Sequence, residues 1–108
     1  MAVMLPLENA LAIIVERIKT QFSPEKIILF GSQAKGNARM DSDIDILVIM
    51  SECDNRKATT ISIMKSLADL PIGKDIIVTT PKEIEDRGKL PFSVLYPALN
   101  EGRVLYAR

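Results

Sequence analysis

The stretch Gly31–Val48, GSQAKGNARMDSDIDILV, contains the pattern from which the fold and the site are predicted. It begins with a glycine and a serine, continues as a loop with basic residues, and places Asp43 and Asp45 where an apolar strand begins. Side chains at positions i and i+2 of a strand point to the same side, so these two carboxylates project together, with Cα atoms about 7 Å apart. Carboxylates this close repel each other unless a cation lies between them. The stretch therefore predicts a metal site at the start of a strand.

A third carboxylate is placed to join this pair. Asp75 begins the apolar run DIIVTT in the same sense that Asp43 begins DIDILVIM, so neighbouring strands would bring the three side chains together. Hard oxygen ligands suit Mg²⁺ or Mn²⁺, and Mg²⁺ is usually held by one or two carboxylates together with substrate phosphates. Three carboxylates can hold two metal ions about 3.5 to 4 Å apart, an arrangement that suits nucleotidyl transfer. We predict Asp43, Asp45 and Asp75 as catalytic, metal-binding residues.

The upstream half of the stretch is suited to binding phosphate. Gly31 follows the buried strand KIILF, and Ser32 begins a predicted short helix, SQAKG, whose backbone N–H groups and serine hydroxyl would face the start of the next strand. A glycine at this point lets phosphates approach the backbone closely. Lys35 and Arg39 lie in the connecting loop, where they would supply positive charge to a polyphosphate. The nucleotide-binding prediction therefore comprises Gly31, Ser32, Lys35 and Arg39.

Alternating periodicities predict the remaining elements. Residues 7–22 have the apolar spacing of an amphipathic helix, and Ser23 and Pro24 end it. A polar loop is expected at 51–57. The further predictions are a second helix with Ile61, Met64, Leu67 and Ala68 on its apolar face, a helical turn KEIEDRG, a short helix with Phe92, Leu95 and Leu99, and an edge strand RVLYA. This order indicates an α/β (α+β) domain with a small mixed β-sheet flanked by helices, in which the second and third strands can be parallel.

Composition limits the classes of function. The 108 residues suit a single domain, 1–108, and Lys+Arg 14 balances Asp+Glu 14, so no basic excess favours long nucleic acid as the main ligand. The chain has no histidine, which excludes a Ser-His-Asp triad, and one cysteine, Cys53, which excludes an intrachain disulfide. No uninterrupted apolar run of about 20 residues is long enough for a membrane span, and no signal peptide is recognisable. We expect a cytoplasmic protein that forms a homo- or hetero-oligomer because the domain is small.

The spacing of these residues is similar to a known signature. Gly31-Ser32, followed after residues 33–42 by Asp43-Ile44-Asp45, resembles the motif of the minimal nucleotidyltransferases, the smallest members of the DNA polymerase β-like superfamily. The Asp75 strand and the closing NEGRVLY also resemble that family, so the similarity covers nearly the whole chain. Lys35 stands where the family commonly has arginine, and Met40 where it commonly has proline. Nothing essential to the pattern is missing.

The resemblance implies a polymerase β-like nucleotidyltransferase fold and a set of roles. Gly31 and Ser32 would hold the triphosphate, Asp43 and Asp45 would bind two Mg²⁺ ions, and Asp75 would lie near the attacking hydroxyl. The implied reaction is Mg²⁺-dependent transfer of AMP from ATP to a hydroxyl, with release of pyrophosphate. In this family the gene is often paired with that of a HEPN ribonuclease toxin, and the nucleotidyltransferase acts as an antitoxin that adenylylates a toxin tyrosine.

Two other functions stay open at this point. The chain can be a binding module that keeps the fold, binds a nucleotide or a helical partner, and neutralises that partner by occlusion without transferring anything. It can also be a small-molecule nucleotidyltransferase similar to the antibiotic-modifying enzymes of the superfamily. Those enzymes usually carry an additional helical domain that this sequence does not contain, so we rank this last.

Overall fold

The structure is a computed structural model, and its described residues are 6–31, 44–87 and 102–108. In chain order the elements are α1 (Leu7–Phe22), β1 (Lys26–Phe30), β2 (Ile44–Ile49), α2 (Arg56–Ser66), β3 (Lys74–Thr79), α3 (Pro81–Arg87) and β4 (Arg103–Ala107). The predicted helix over 7–22 and the predicted strand KIILF are confirmed. The predicted helix with Phe92, Leu95 and Leu99 lies outside the described residues.

The four strands form one mixed sheet in the order β3-β2-β1-β4. β1 pairs with β2 and with β4 in the antiparallel sense, whereas β2 and β3 are parallel. A parallel pair requires a crossover connection, and α2 supplies it between β2 and β3. The structure therefore confirms the mixed sheet, the parallel pairing of the second and third strands, and the position of RVLYA at a sheet edge.

The main core lies between one face of the sheet and the helices α1 and α2. α1 buries Ala10, Leu11, Ile14 and Ile18, which recur at the spacing that places side chains on one side of a helix. From the sheet, the buried residues on this face are Ile27, Leu29, Ile44, Ile46, Val48, Ile76 and Val78. Burial on this scale is the main stabilising contribution to such a small domain.

The buried side of α2 differs from the prediction. The sequence pattern predicted Ile61 and Met64 on the apolar face, but these side chains are 45% and 36% exposed, and Ala68 is exposed as well. Of the predicted residues, Leu67 is buried, at the C-cap of α2. Within α2 the buried residue is Ile63, and Leu70, in the turn that follows, is buried as well. This sequence region carries two overlapping apolar stripes at helical spacing, and periodicity alone does not distinguish them. Packing against the sheet selects the stripe that starts at Ile63.

α2 begins at Arg56, so its first two residues lie within the loop predicted over 51–57. The side chain of Asn55 accepts a hydrogen bond from the Ala58 backbone N–H at 3.0 Å. An asparagine at this position satisfies one of the N–H groups that lack a partner at a helix start. The loop therefore ends at the N-cap.

The opposite face of the sheet carries a smaller apolar cluster. Ile28, Leu47 and Ile49 are buried there, and partly buried Phe30, Ile77 and Ile84 pack against them. Ile84 belongs to α3, which confirms the helical turn predicted in KEIEDRG. Within 6–31, 44–87 and 102–108, no helix is long and apolar enough to cross a membrane.

Candidate active site

The parallel pairing of β2 and β3 brings two of the predicted carboxylates side by side. Asp45 and Asp75 are direct register partners, and they occupy the second position of their respective strands. Partners in neighbouring parallel strands point to the same side of the sheet and lie about 4.8 Å apart along the hydrogen-bonding direction. The predicted convergence of Asp45 with Asp75 therefore has its structural basis in this register.

The two aspartates lie on the sheet face opposite α1 and α2. Alternation along β2 places Ile44 and Ile46 in the main core, so Asp45 points to the other face, toward the end of the sheet where β2 and β3 begin. Asp75 is exposed and Asp45 is half-buried. Both carboxylates are thus attached to strands that are anchored by buried neighbours.

Gly31 closes one side of this site. It directly follows β1, whose last residue Phe30 is the register partner of Asp45. Gly31 has φ 77°, and a Cβ added to it would overlap Asp45 Oδ2 and lie 3.2 Å from Asp45 Cγ. Only glycine adopts this φ at low cost, and only glycine leaves room for the carboxylate. The backbone of Gly31 therefore lies directly against the Asp45 carboxylate, while its phosphate-binding role stays a prediction.

The other predicted site residues lie outside the described residues. These are Ser32, Lys35, Arg39 and Asp43. Their assignment stays a sequence prediction. The structure thus brings together Gly31, Asp45 and Asp75, three of the seven residues named from sequence.

The donor set suits a hard divalent cation. Two carboxylates on one sheet face present oxygen ligands of the kind that Mg²⁺ takes together with waters and substrate phosphates. Among the residues that the structure describes, no group of three or more aspartate, glutamate, cysteine or histidine side chains could by itself hold a metal ion. Two carboxylates are within the number that Mg²⁺ usually takes from a protein when a substrate supplies phosphates. The residues present therefore fit such an ion.

Lys74, which sequence reasoning did not assign to the site, contacts the connection that leads into β3. Its Nζ donates to the backbone carbonyls of Leu70 and Ile72, at 3.2 and 2.9 Å. Sequence reasoning could not find this contact, because both acceptors are backbone carbonyls, which every residue has. The only signal in the sequence is that Lys74 directly precedes Asp75.

The fold and the carboxylate pair define a nucleotidyltransferase domain. The family model described as polymerase beta, nucleotidyltransferase, matches residues 13–108, and the chain belongs to this family. This confirms the fold class predicted from the sequence. No curated protein matches the sequence.

Two solved structures are similar to the chain. A candidate nucleotidyltransferase from Sulfolobus solfataricus is 26% identical, with a TM-score of 0.58, over 91% of this chain and 78% of that chain. A toxin-antitoxin structure with AMP-PNP is 20% identical, with a TM-score of 0.64, over 95% of this chain and 75% of that chain. The second similarity is one of fold.

Proposed function

We propose that the chain is a Mg²⁺-dependent nucleotidyltransferase that transfers AMP from ATP to a hydroxyl group, namely that of a tyrosine on a HEPN-type toxin, and that it thereby acts as an antitoxin. One observation carries the proposal: Asp45 and Asp75 are register partners on one face of the sheet, with the Gly31 backbone against Asp45. Family membership supports the reaction class.

The reaction exchanges one phosphorus–oxygen bond for another. The acceptor oxygen forms a bond to the α-phosphorus of ATP, the bond from that phosphorus to the α,β-bridging oxygen breaks, and pyrophosphate leaves. The hydroxyl proton passes to solvent or to a nearby carboxylate. Two divalent ions, when bound, would neutralise charge on the attacking and leaving oxygens.

The chain's own residues would hold the substrates in line. Asp45, with Asp43 as its sequence-predicted companion, would bind the ions that carry the triphosphate, while Gly31 and Ser32 would receive the phosphates. Asp75 would stand on the side of the acceptor hydroxyl. Lys35 and Arg39 would add positive charge to the triphosphate site. Positioning and charge neutralisation would supply most of the rate enhancement.

The nature of the partner is supported by similarity of fold. A protein of the same fold occurs in a toxin-antitoxin structure that contains AMP-PNP, a nucleoside triphosphate analogue. We propose that the acceptor protein itself forms a hetero-oligomer with this chain. Because the reaction consumes ATP, we place it in the cytoplasm.

Transfer of label tests the proposal directly. The purified chain would be incubated with α-labelled ATP and Mg²⁺, with and without a helical partner protein encoded by a neighbouring gene. We expect label on the partner with the wild type, and a loss of about 100-fold or more with Asp45→Asn and with Asp75→Asn. Asp54→Asn, at an exposed position beyond the other end of β2, is the matched control and should stay within about twofold of wild type.

The same experiment can overturn the proposal. If no label reaches the partner while a stable complex forms with wild type and with both aspartate variants, the chain is a binding module that acts by occlusion. In a parallel reaction an aminoglycoside replaces the partner protein; if label reaches the aminoglycoside but no protein, the chain is a small-molecule nucleotidyltransferase. Either result would replace the proposed reaction.

A further inference from the structure

The connection between α2 and β3, residues 67–73, is anchored by the ammonium group of the residue that follows it. Lys74 Nζ donates to Leu70 O at 3.2 Å and to Ile72 O at 2.9 Å, and both bonds are partly buried. The Ile72 N–H also donates to Leu70 O, at 2.8 Å. The Lys74 side chain therefore donates to two carbonyls of the connection. These bonds hold the end of the connection against the start of β3.

A second cation fixes the beginning of the same connection. Arg17, on α1, donates to Ser66 O at 2.9 Å and pairs with the Asp69 carboxylate through both of its terminal nitrogens. The hydrogen bond from Arg17 lowers the pKa of Asp69, and the charge of Lys74 contributes a smaller lowering. The two cations thus act on one short segment from opposite ends.

The end of this connection sets the register of the carboxylate pair. Gly73 O accepts a hydrogen bond of 2.9 Å from the Ile44 N–H, where the β2–β3 ladder begins. Lys74 is the register partner of Ile44, so Asp75 falls opposite Asp45. A slip of one residue would turn Asp75 to the other face of the sheet, because side chains alternate along a strand. Whatever holds Gly73 and Lys74 in place therefore holds Asp75 in the site.

We propose that Lys74 is a positioning residue for the Asp45–Asp75 carboxylate pair, acting through the hydrogen bonds of its ammonium group to the connection that leads into β3. The inference rests on the proposed function, because it takes these carboxylates as ligands of the divalent cation. Loss of the ammonium group would remove the donor that Lys74 supplies to the Ile72 carbonyl, and would leave the Leu70 carbonyl with the Ile72 N–H but without the lysine. The start of β3 would then be less well fixed, and with it the Asp75 side chain.

A through-space charge effect and a positioning role predict opposite changes in the affinity for the divalent cation when the Lys74 ammonium group is removed. Removing a positive charge near a cation site should strengthen cation binding, since like charges repel. Removing a positioning residue should weaken it, and outer-shell partners of metal ligands typically account for about 10- to 100-fold in affinity. The direction of the change in affinity for Lys74→Met therefore separates positioning from a through-space charge effect.

Mn²⁺ titration followed by electron paramagnetic resonance is the experiment. It would be run on the full chain without nucleotide, well below the unfolding temperature of each variant. We expect Lys74→Met to bind Mn²⁺ about 10-fold more weakly than wild type, and Lys74→Arg to stay within about threefold, because a guanidinium can also donate to both carbonyls. Lys26→Met is the matched control, since Lys26 is the exposed first residue of β1, at the opposite end of the sheet. It should bind like wild type.

Each outcome has an assigned meaning. If Asp45→Asn and Asp75→Asn bind Mn²⁺ like wild type, the cation site of the proposed function is wrong. If those variants lose binding but folded Lys74→Met binds as tightly as wild type or more tightly, the positioning inference is wrong. Should Lys74→Met not fold, Lys74→Leu replaces it, since leucine has no donor either, and wild-type affinity in folded Lys74→Leu would equally overturn the inference.

Discussion

Substitution of Gly31 by alanine tests the geometry of the site at its tightest point. Gly31 has φ 77°, and a left-handed backbone costs a non-glycine residue about 1 to 2 kcal/mol. The new Cβ would also overlap Asp45 Oδ2, and forcing that side chain from its rotamer costs about 0.5 to 1.5 kcal/mol. We therefore expect Gly31→Ala to lower the free energy of unfolding by about 1.5 to 3.5 kcal/mol.

The expected loss is measurable by thermal unfolding. At about 2.1 cal/mol/K per residue, the unfolding entropy of a 108-residue chain converts this range into a decrease in Tm of about 7 to 15 °C. Circular dichroism during a reversible thermal scan would give the midpoint. Gly73→Ala is the matched control. Gly73 also adjoins a strand, but among the described glycines only Gly31 has a positive φ. It should change the free energy of unfolding by no more than about 1 kcal/mol, since alanine restricts the unfolded chain.

A double-mutant cycle separates the two causes. In the Asp45→Ala background the carboxylate is gone, so Gly31→Ala should cost only the backbone part, about 1 to 2 kcal/mol. The difference between the two backgrounds, about 0.5 to 1.5 kcal/mol, is the coupling between the positions. Equal costs in both backgrounds would refute the claim that Gly31 makes room for Asp45. A cost below about 0.5 kcal/mol in both would refute the backbone argument as well.

Three further predictions concern the scaffold. Arg17 lowers the pKa of Asp69, so the pair stabilises the fold above about pH 4 and this contribution is lost as the pH falls through the lowered pKa; Asp69→Asn should flatten the acid limb of a stability–pH curve. Asn55→Ala removes the acceptor of the Ala58 N–H and should cost about 1 kcal/mol in urea unfolding, whereas Asn55→Asp should be nearly neutral. Ile63→Ala truncates a fully buried side chain and should cost about 2 to 5 kcal/mol, whereas Ile61→Ala, at an exposed position, should cost under about 1 kcal/mol.

Local pattern was sufficient for several elements because their signals are short-range. The helix over 7–22 has one apolar stripe and a clear end at Ser23, which adopts a left-handed conformation. KIILF is a continuous apolar run, and its central residues are buried. On α2 the same reasoning selected Ile61 and Met64 and was wrong, because two apolar stripes overlap there and tertiary packing decides between them. Periodicity identifies a helix more reliably than it identifies the buried side.

By itself the sequence determined the chemical groups of the site. It has a glycine after a buried strand, aspartates where strands begin, and no histidine for a Ser-His-Asp triad. Those features are local, since alternation along one strand needs no other part of the chain. Only the tertiary structure decided that β3 lies beside β2, in parallel and in the register that sets Asp75 opposite Asp45. That choice depends on backbone hydrogen bonds between distant segments, on the burial of Ile76 and Val78, and on the connection held by Lys74. None of these contacts is encoded in the spacing of residues along the chain.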